Sequence, residues 1–113
     1  MSIDIKKYLE DILLSINAIE IHVQQVNSIQ EYENNITVTD AVERRLAIIG
    51  EALYQINKAD KQIQITNKPR IIGLRHVLIH EYDLIEDATI WNIIFKHLPV
   101  LKTEVTGILN NLT

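Results

Sequence analysis

Cysteine is absent from the 113 residues, which excludes disulfides and thiolate zinc sites and removes any need for an oxidising compartment. Glycine and proline are scarce, at three and two, too few for a loop-rich β-sandwich. No apolar run approaches the roughly 20 residues of a membrane span. The opening stretch Met1-Ser2-Ile3-Asp4-Ile5-Lys6-Lys7 lacks the uninterrupted apolar core of a secretion signal. These absences lead us to expect a cytoplasmic location and no membrane partner. A basic excess is missing too. Eleven Lys and Arg stand against 15 Asp and Glu, for a net charge of −4, which argues against extensive coating by nucleic acid. The charge is uneven, however: Lys58, Lys61, Lys68, Arg70 and Arg75 face only Asp60 between positions 58 and 80. That stretch is either a local anion-binding patch or a solvated basic loop.

What is present is a normal globular balance, 47% hydrophobic and 23% charged, in a length that fits one compact domain over residues 1–113. Three segments place apolar residues at alternating steps of four and three. They are Ile5, Leu9, Ile12, Ile16, Ile19, Val23, Val26; then Val42, Leu46, Ile49, Leu53, Ile56; then Trp91, Ile94, Leu98, Leu101, Val105, Ile108. This period lays one stripe along a helix and is foreign to strands. A fourth helix is expected over Pro69–His80, with Ile71, Leu74 and Leu78 on its stripe and Pro69 in its first turn. Thr39 or Asp40 is expected to cap the second helix and Asp87 the last. Residues 27–37 and 60–68 read as connections, with a brief strand over Gln62–Ile65 as an option. Pro99 should kink or restart the last helix. The fold class expected is all-α, an antiparallel bundle of four to five helices. Leu13, Leu14 and Ile21 lie off the main stripe of the first helix, so that helix is either central and deeply buried or covered by a second subunit. Gly50, in mid-helix, suits close approach by another backbone.

Chemistry-bearing residues crowd into Arg75-His76-Val77-Leu78-Ile79-His80-Glu81-Tyr82. An arginine grips phosphate with paired donors at any working pH, and a histidine exchanges protons near neutrality. With a second proton carrier, these groups suffice for metal-independent RNA cleavage. On an ideal helix Arg75 and His80 stand about 140° apart, so they share no face, whereas His76 and His80 are about 40° apart and one turn removed. Arg75 and His80 therefore meet only if the helix loosens or if a second subunit completes the site. The i, i+4 histidines also permit zinc, although no Glu follows His76 and the sequence marks no third ligand. A polar helix end with solvated charges is the plain alternative. Glu51 either orients Arg75 or is an ordinary surface or ion-paired glutamate.

The run Ile71–Tyr82, with R-x4-H extended to H-x-Y, resembles the signature of HepT-like (HEPN) proteins. Glu43–Ala52 resembles that family's preceding helix, and Trp91 with Leu98-Pro99 also fits. The resemblance spans nearly the whole chain. It implies a dimeric HEPN bundle and a type VII toxin–antitoxin ribonuclease with catalytic Arg75 and His80 at a homodimer interface. It also implies an MntA-like nucleotidyltransferase antitoxin that transfers AMP to Tyr82, RNA as substrate, and no cofactor or metal. A non-catalytic subunit that docks a nucleotidyltransferase is the alternative. Two positions depart from the family pattern. His76 stands where Asn is common, as a substitute polar group or a second proton carrier. Glu81 stands where a small residue is usual, and is expected to act on RNA or on His80.

Overall fold

The computed structural model describes residues 4–112, the side chain of Tyr82 excepted, and these form a helical bundle with no strand among the described residues. Its helices are α1 (Ile5–Val23), α2 (Ile29–Glu33), α3 (Ile36–Ala59), α4 (Lys68–His80), α5 (Asp87–Asn92) and α6 (Leu98–Asn111). A 3₁₀ turn, Tyr82–Leu84, follows α4, and a π turn, Ile93–His97, joins α5 to α6. The long helices α1 and α3 form the central layer; α6 flanks α1, and α4 lies along α3.

The apolar stripes explain that arrangement. Leu9, Ile12, Ile16 and Ile19 of α1 meet Leu46, Ile49, Leu53 and Ile56 of α3, and all eight are buried. Fully burying one such side chain stabilises by about 1.5–3 kcal/mol. Leu14 and Ile21 instead remain 60% and 61% exposed. They line a groove with Leu109 on the α6 side. The first helix is thus not buried all round within the single chain.

Several local expectations change. The 27–37 connection contains α2, which is started by Ser28 Oγ accepting from the Glu31 amide at 3.2 Å and by Glu31 Oε1 accepting from the Asn27 amide at 3.0 Å. This reciprocal pattern is a capping box displaced by one residue. Helix α3 starts earlier than Thr39 or Asp40 would allow, because Asn35 Oδ1 accepts from the Val38 amide at 3.1 Å. Asp87 lies inside the first turn of α5, after an N-cap at Glu86 that makes no side-chain bond. Gln62–Ile65 forms no strand; Ile65 is buried instead, and Lys68 Nζ donates to the Ile63 carbonyl at 2.8 Å. Pro99 does stand at a restart, in the first turn of α6. The wide π turn precedes it, with the Leu98 amide bonded to the Ile93 carbonyl, and so relieves the clash a prolyl ring makes with the preceding turn.

An acidic corner joins α2, α3 and α5. Tyr32 is fully buried, its ring 5.5 Å from that of Trp91. Burial pushes its hydroxyl above the ordinary tyrosine value, and nearby Glu43 and Asp87 push the same way. The Glu43 carboxyl is also raised, first by burial and then by Asp87 and Asp40. A raised carboxyl binds its proton more readily folded than unfolded, so this group's contribution to stability falls as pH rises from the usual carboxylate value through the raised one. Glu43→Gln should therefore raise Tm at pH 7 by roughly 2 °C, modestly because solvent screens the repulsion. The gain should shrink towards zero in melts at pH 4, where the wild-type carboxyl is largely neutral.

Candidate functional site

Helix α4 opens after Asn67, whose φ of 60° is left-handed, and whose Nδ2 lies 3.1 Å from His97 Nδ1 on the π turn. Pro69 sits in the first turn, where its missing donor costs nothing. Ile71 is buried against the core and sets the rotation of the helix, so Arg75, one turn later, also faces α3.

Gly50 makes room for that approach. A Cβ at Gly50 would lie 2.6 Å from Arg75 Cβ and 3.1 Å from the Ile71 carbonyl oxygen. The arginine therefore springs from the point where α3 and α4 come close, and residues just after Gly50 hold its guanidinium. Glu51 Oε1 lies 3.0 Å from Arg75 Nε. The approach is off the N–H direction, leaving that buried nitrogen without a hydrogen bond among the described residues, so the contact is a charge pairing. The other Glu51 oxygen accepts from Gln55 Nε2 at 2.8 Å, and the ring of Tyr54 lies under Arg75 Cζ at 4.4 Å. A cation stacked on a ring and paired with a fixed carboxylate has few orientations left. Glu51 thus pairs with Arg75, a contact shared by the orienting and the ion-paired readings. Tyr54 and Gln55 were not singled out in the sequence; the available signal was an aromatic three residues after Glu51, on the same helical face.

His80 ends α4 and is exposed. Since the helix is regular to that residue, Arg75 and His80 point about 140° apart and one chain does not bring them together. His76 and His80 do meet, with ring centroids 5.0 Å apart. Glu81, at the C-cap, has left the helical path with φ −134°, and its Oε1 lies 3.2 Å from His76 Nε2. The carboxylate expected to act on RNA or on His80 is thus paired with His76. No group of three His, Asp or Glu side chains among the described residues is arranged to hold a metal ion. The Tyr82 side chain lies outside the described residues; its backbone opens the 3₁₀ turn directly after the site.

The basic stretch is thinner in space than in sequence, because Lys68 turns to the Ile63 carbonyl and Arg75 has the Glu51 carboxylate beside its Nε. Lys58, Lys61 and Arg70 stay exposed. Beside Glu51 an open groove of about 430 Å³ runs between α1, α3 and α4, lined by Tyr8, Arg44, Ala47, Ile48, Leu78 and Ile79 among others. Ile79 is 49% exposed. The apolar surface bordering the site is therefore this groove, whereas Leu14 and Ile21 line a separate one on the α6 side.

Comparison with known proteins gives the family. Residues 12–108 match the family described as Ribonuclease HepT-like. A Methanocaldococcus jannaschii protein provisionally named an RNase is 38% identical over 104 residues, 90% of this chain and 94% of that protein. A second from the same organism, also so named, is 34% identical over 111 residues, 96% of this chain and 94% of its own length. One from Caldanaerobacter subterraneus subsp. tengcongensis, again provisionally named an RNase, is 34% identical over 106 residues, 92% of this chain and 93% of its own. No solved structure gives a significant match, and no helix among the described residues is long and apolar enough to cross a membrane. With the family model spanning most of the chain and relatives aligned nearly end to end, this protein belongs to the HepT-like ribonuclease family, a class of RNA-cleaving enzymes built on a helical bundle.

Proposed function

We propose that the chain is the ribonuclease toxin of a type VII toxin–antitoxin pair, cutting RNA without a metal ion through Arg75 and His80 brought together across a homodimer. The observation that carries the reading is the Arg75 cradle. A guanidinium fixed by Glu51 at 3.0 Å and by the Tyr54 ring at 4.4 Å shares its helix with the exposed imidazole pair of His76 and His80. Such a cation stabilises the charge that grows on the phosphorane as the ribose 2′-oxygen attacks. The pairing with Glu51 leaves the terminal guanidinium nitrogens to receive a phosphate. Because Arg75 and His80 diverge on one helix, the complete site takes Arg75 from one subunit and His80 from the other. Ile79 and the neighbouring groove supply apolar surface for that contact.

Neutralisation is assigned to Tyr82, whose backbone opens the turn directly after α4. A cognate MntA-like nucleotidyltransferase would transfer AMP from ATP to its hydroxyl, releasing pyrophosphate. The new phosphate brings negative charge and bulk to the end of α4, where the RNA phosphate must sit, and competes for Arg75. One expression experiment tests the whole reading. The chain alone should arrest bacterial growth, and Arg75→Ala or His80→Ala should abolish the arrest with the fold intact. Co-expressed nucleotidyltransferase should silence the wild type but not Tyr82→Phe. Undiminished arrest by both site variants would refute the nuclease assignment. No arrest by the wild type would favour a non-catalytic subunit that docks the nucleotidyltransferase.

A further inference from the structure

We propose that His76 is a second catalytic residue, and that His76 and His80 of one chain divide the two proton transfers of RNA cleavage between them. The inference rests on the ribonuclease reading and deepens it. Cleavage by the 2′-hydroxyl forms a bond from O2′ to phosphorus and breaks the bond from phosphorus to O5′, leaving a 2′,3′-cyclic phosphate and a free 5′-hydroxyl. One imidazole takes the proton from O2′ and the other, as imidazolium, gives one to O5′. No co-reactant is needed, and exchange with water restores the starting protonation. A single imidazole would have to serve both oxygens, which lie on opposite sides of phosphorus in an in-line displacement.

The structure supplies the second group on the same helix face. The two rings lie 5.0 Å apart, tilted by 46°. A hydrogen-bond reach of about 3 Å from each lets one phosphodiester contact both. Neither ring is packed into the core, since both residues are exposed. Glu81 Oε1, 3.2 Å from His76 Nε2, gives that ring the carboxylate partner that commonly fixes the orientation of a catalytic imidazole. With side chains 62% and 44% exposed, the His76–Glu81 pair contributes little to stability. Packing therefore gives no strong reason for an imidazole here, whereas proton transfer does.

The leaving group decides the matter. The probe is an oligoribonucleotide that the wild type cuts, compared with the same oligomer carrying sulfur in place of O5′ at the scissile position. A thiolate departs without being protonated, so loss of the general acid is largely rescued and loss of the general base is not. Full-length His76→Ala and His80→Ala should each cut the ordinary oligomer about a hundredfold or more slower than wild type. On the sulfur substrate, one of the two variants, and only one, should recover to within about tenfold of wild type. Equal melting temperatures would show that both variants keep the fold. The inference is overturned if His76→Ala cuts the ordinary oligomer at the wild-type rate, or if sulfur rescues both variants or neither. Normal cutting by His76→Ala beside an inactive His80→Ala sinks this inference and leaves the ribonuclease reading standing. Normal cutting by His80→Ala, or no metal-free cutting by the wild type, removes both.

Discussion

Equal amounts of Arg75→Ala and His80→Ala chains, each inactive alone, should recover about a quarter of wild-type ribonuclease activity when dissociated and reassociated together. Random pairing makes half of the dimers mixed, and two-fold symmetry gives each dimer two equivalent sites. In a mixed dimer one site receives both alanines. The other receives the intact Arg75 of one subunit and the intact His80 of its partner. Half of the dimers with half of their sites intact yields about one quarter. The expectation depends on helix geometry. Helix α4 is regular from Lys68 to His80, so five residues separate the two side chains by about 140°, and Arg75 is held towards α3 by Glu51. If the site were complete within one chain, both halves of the mixture would stay dead. The assay thus separates a composite site from a single-chain one by presence against absence of activity. Size-exclusion chromatography on the same samples establishes that the chains have paired. A proton-transfer pair formed by His76 and His80 fits the same result, because both histidines travel together on the subunit that keeps His80.

The framework was legible because it rests on periodicity. Stripes of isoleucine and leucine in α1, α3 and the α5–α6 segment name their own core faces, and the buried set follows them closely. Features that depend on one helix meeting another were less so. Gly50 signals a close approach in any mid-helix setting, but only the packing of α4 on α3 makes Arg75 its neighbour. Likewise Glu51 on its own is one glutamate among many until α4 delivers a guanidinium to it. The partner of Glu81 was hidden too, because it depends on how the backbone leaves the helix. The change of backbone direction at φ −134° brings the carboxylate back to His76. The sequence also hid α2, since five residues are too short to show a periodic stripe, although Ser28 and Glu31 carried a capping pattern.

Gly50→Ala should damage both stability and catalysis, though it adds a single methyl group to a helix that would ordinarily gain from it. In an open helix the change is worth about 1 kcal/mol in favour of alanine. Here the new carbon would sit 2.6 Å from Arg75 Cβ, 3.3 Å from Arg75 Cα and 3.1 Å from the Ile71 carbonyl oxygen. None of these atoms is the free end of a flexible chain, so relief requires α4 to move away from α3. Overpacking of this kind costs about 1–3 kcal/mol and outweighs the propensity gain at the upper part of that range, leaving a net loss on the order of 1 kcal/mol in urea unfolding. The larger effect falls on the enzyme. Retreat of α4 lifts Arg75 from Tyr54 and lengthens its 3.0 Å approach to Glu51, and a misplacement of about 1 Å can cost a hundredfold in rate. A cleavage rate reduced about a hundredfold in a protein that still melts cooperatively is the expected outcome, measured on the purified variant at saturating RNA. Gly73→Ala is the matched control. It lies on α4, the helix that carries Arg75, where an added Cβ meets nothing within 4 Å, and it should be neutral or slightly stabilising. Wild-type turnover in Gly50→Ala would mean that the tight crossing of α3 and α4 does not position the arginine.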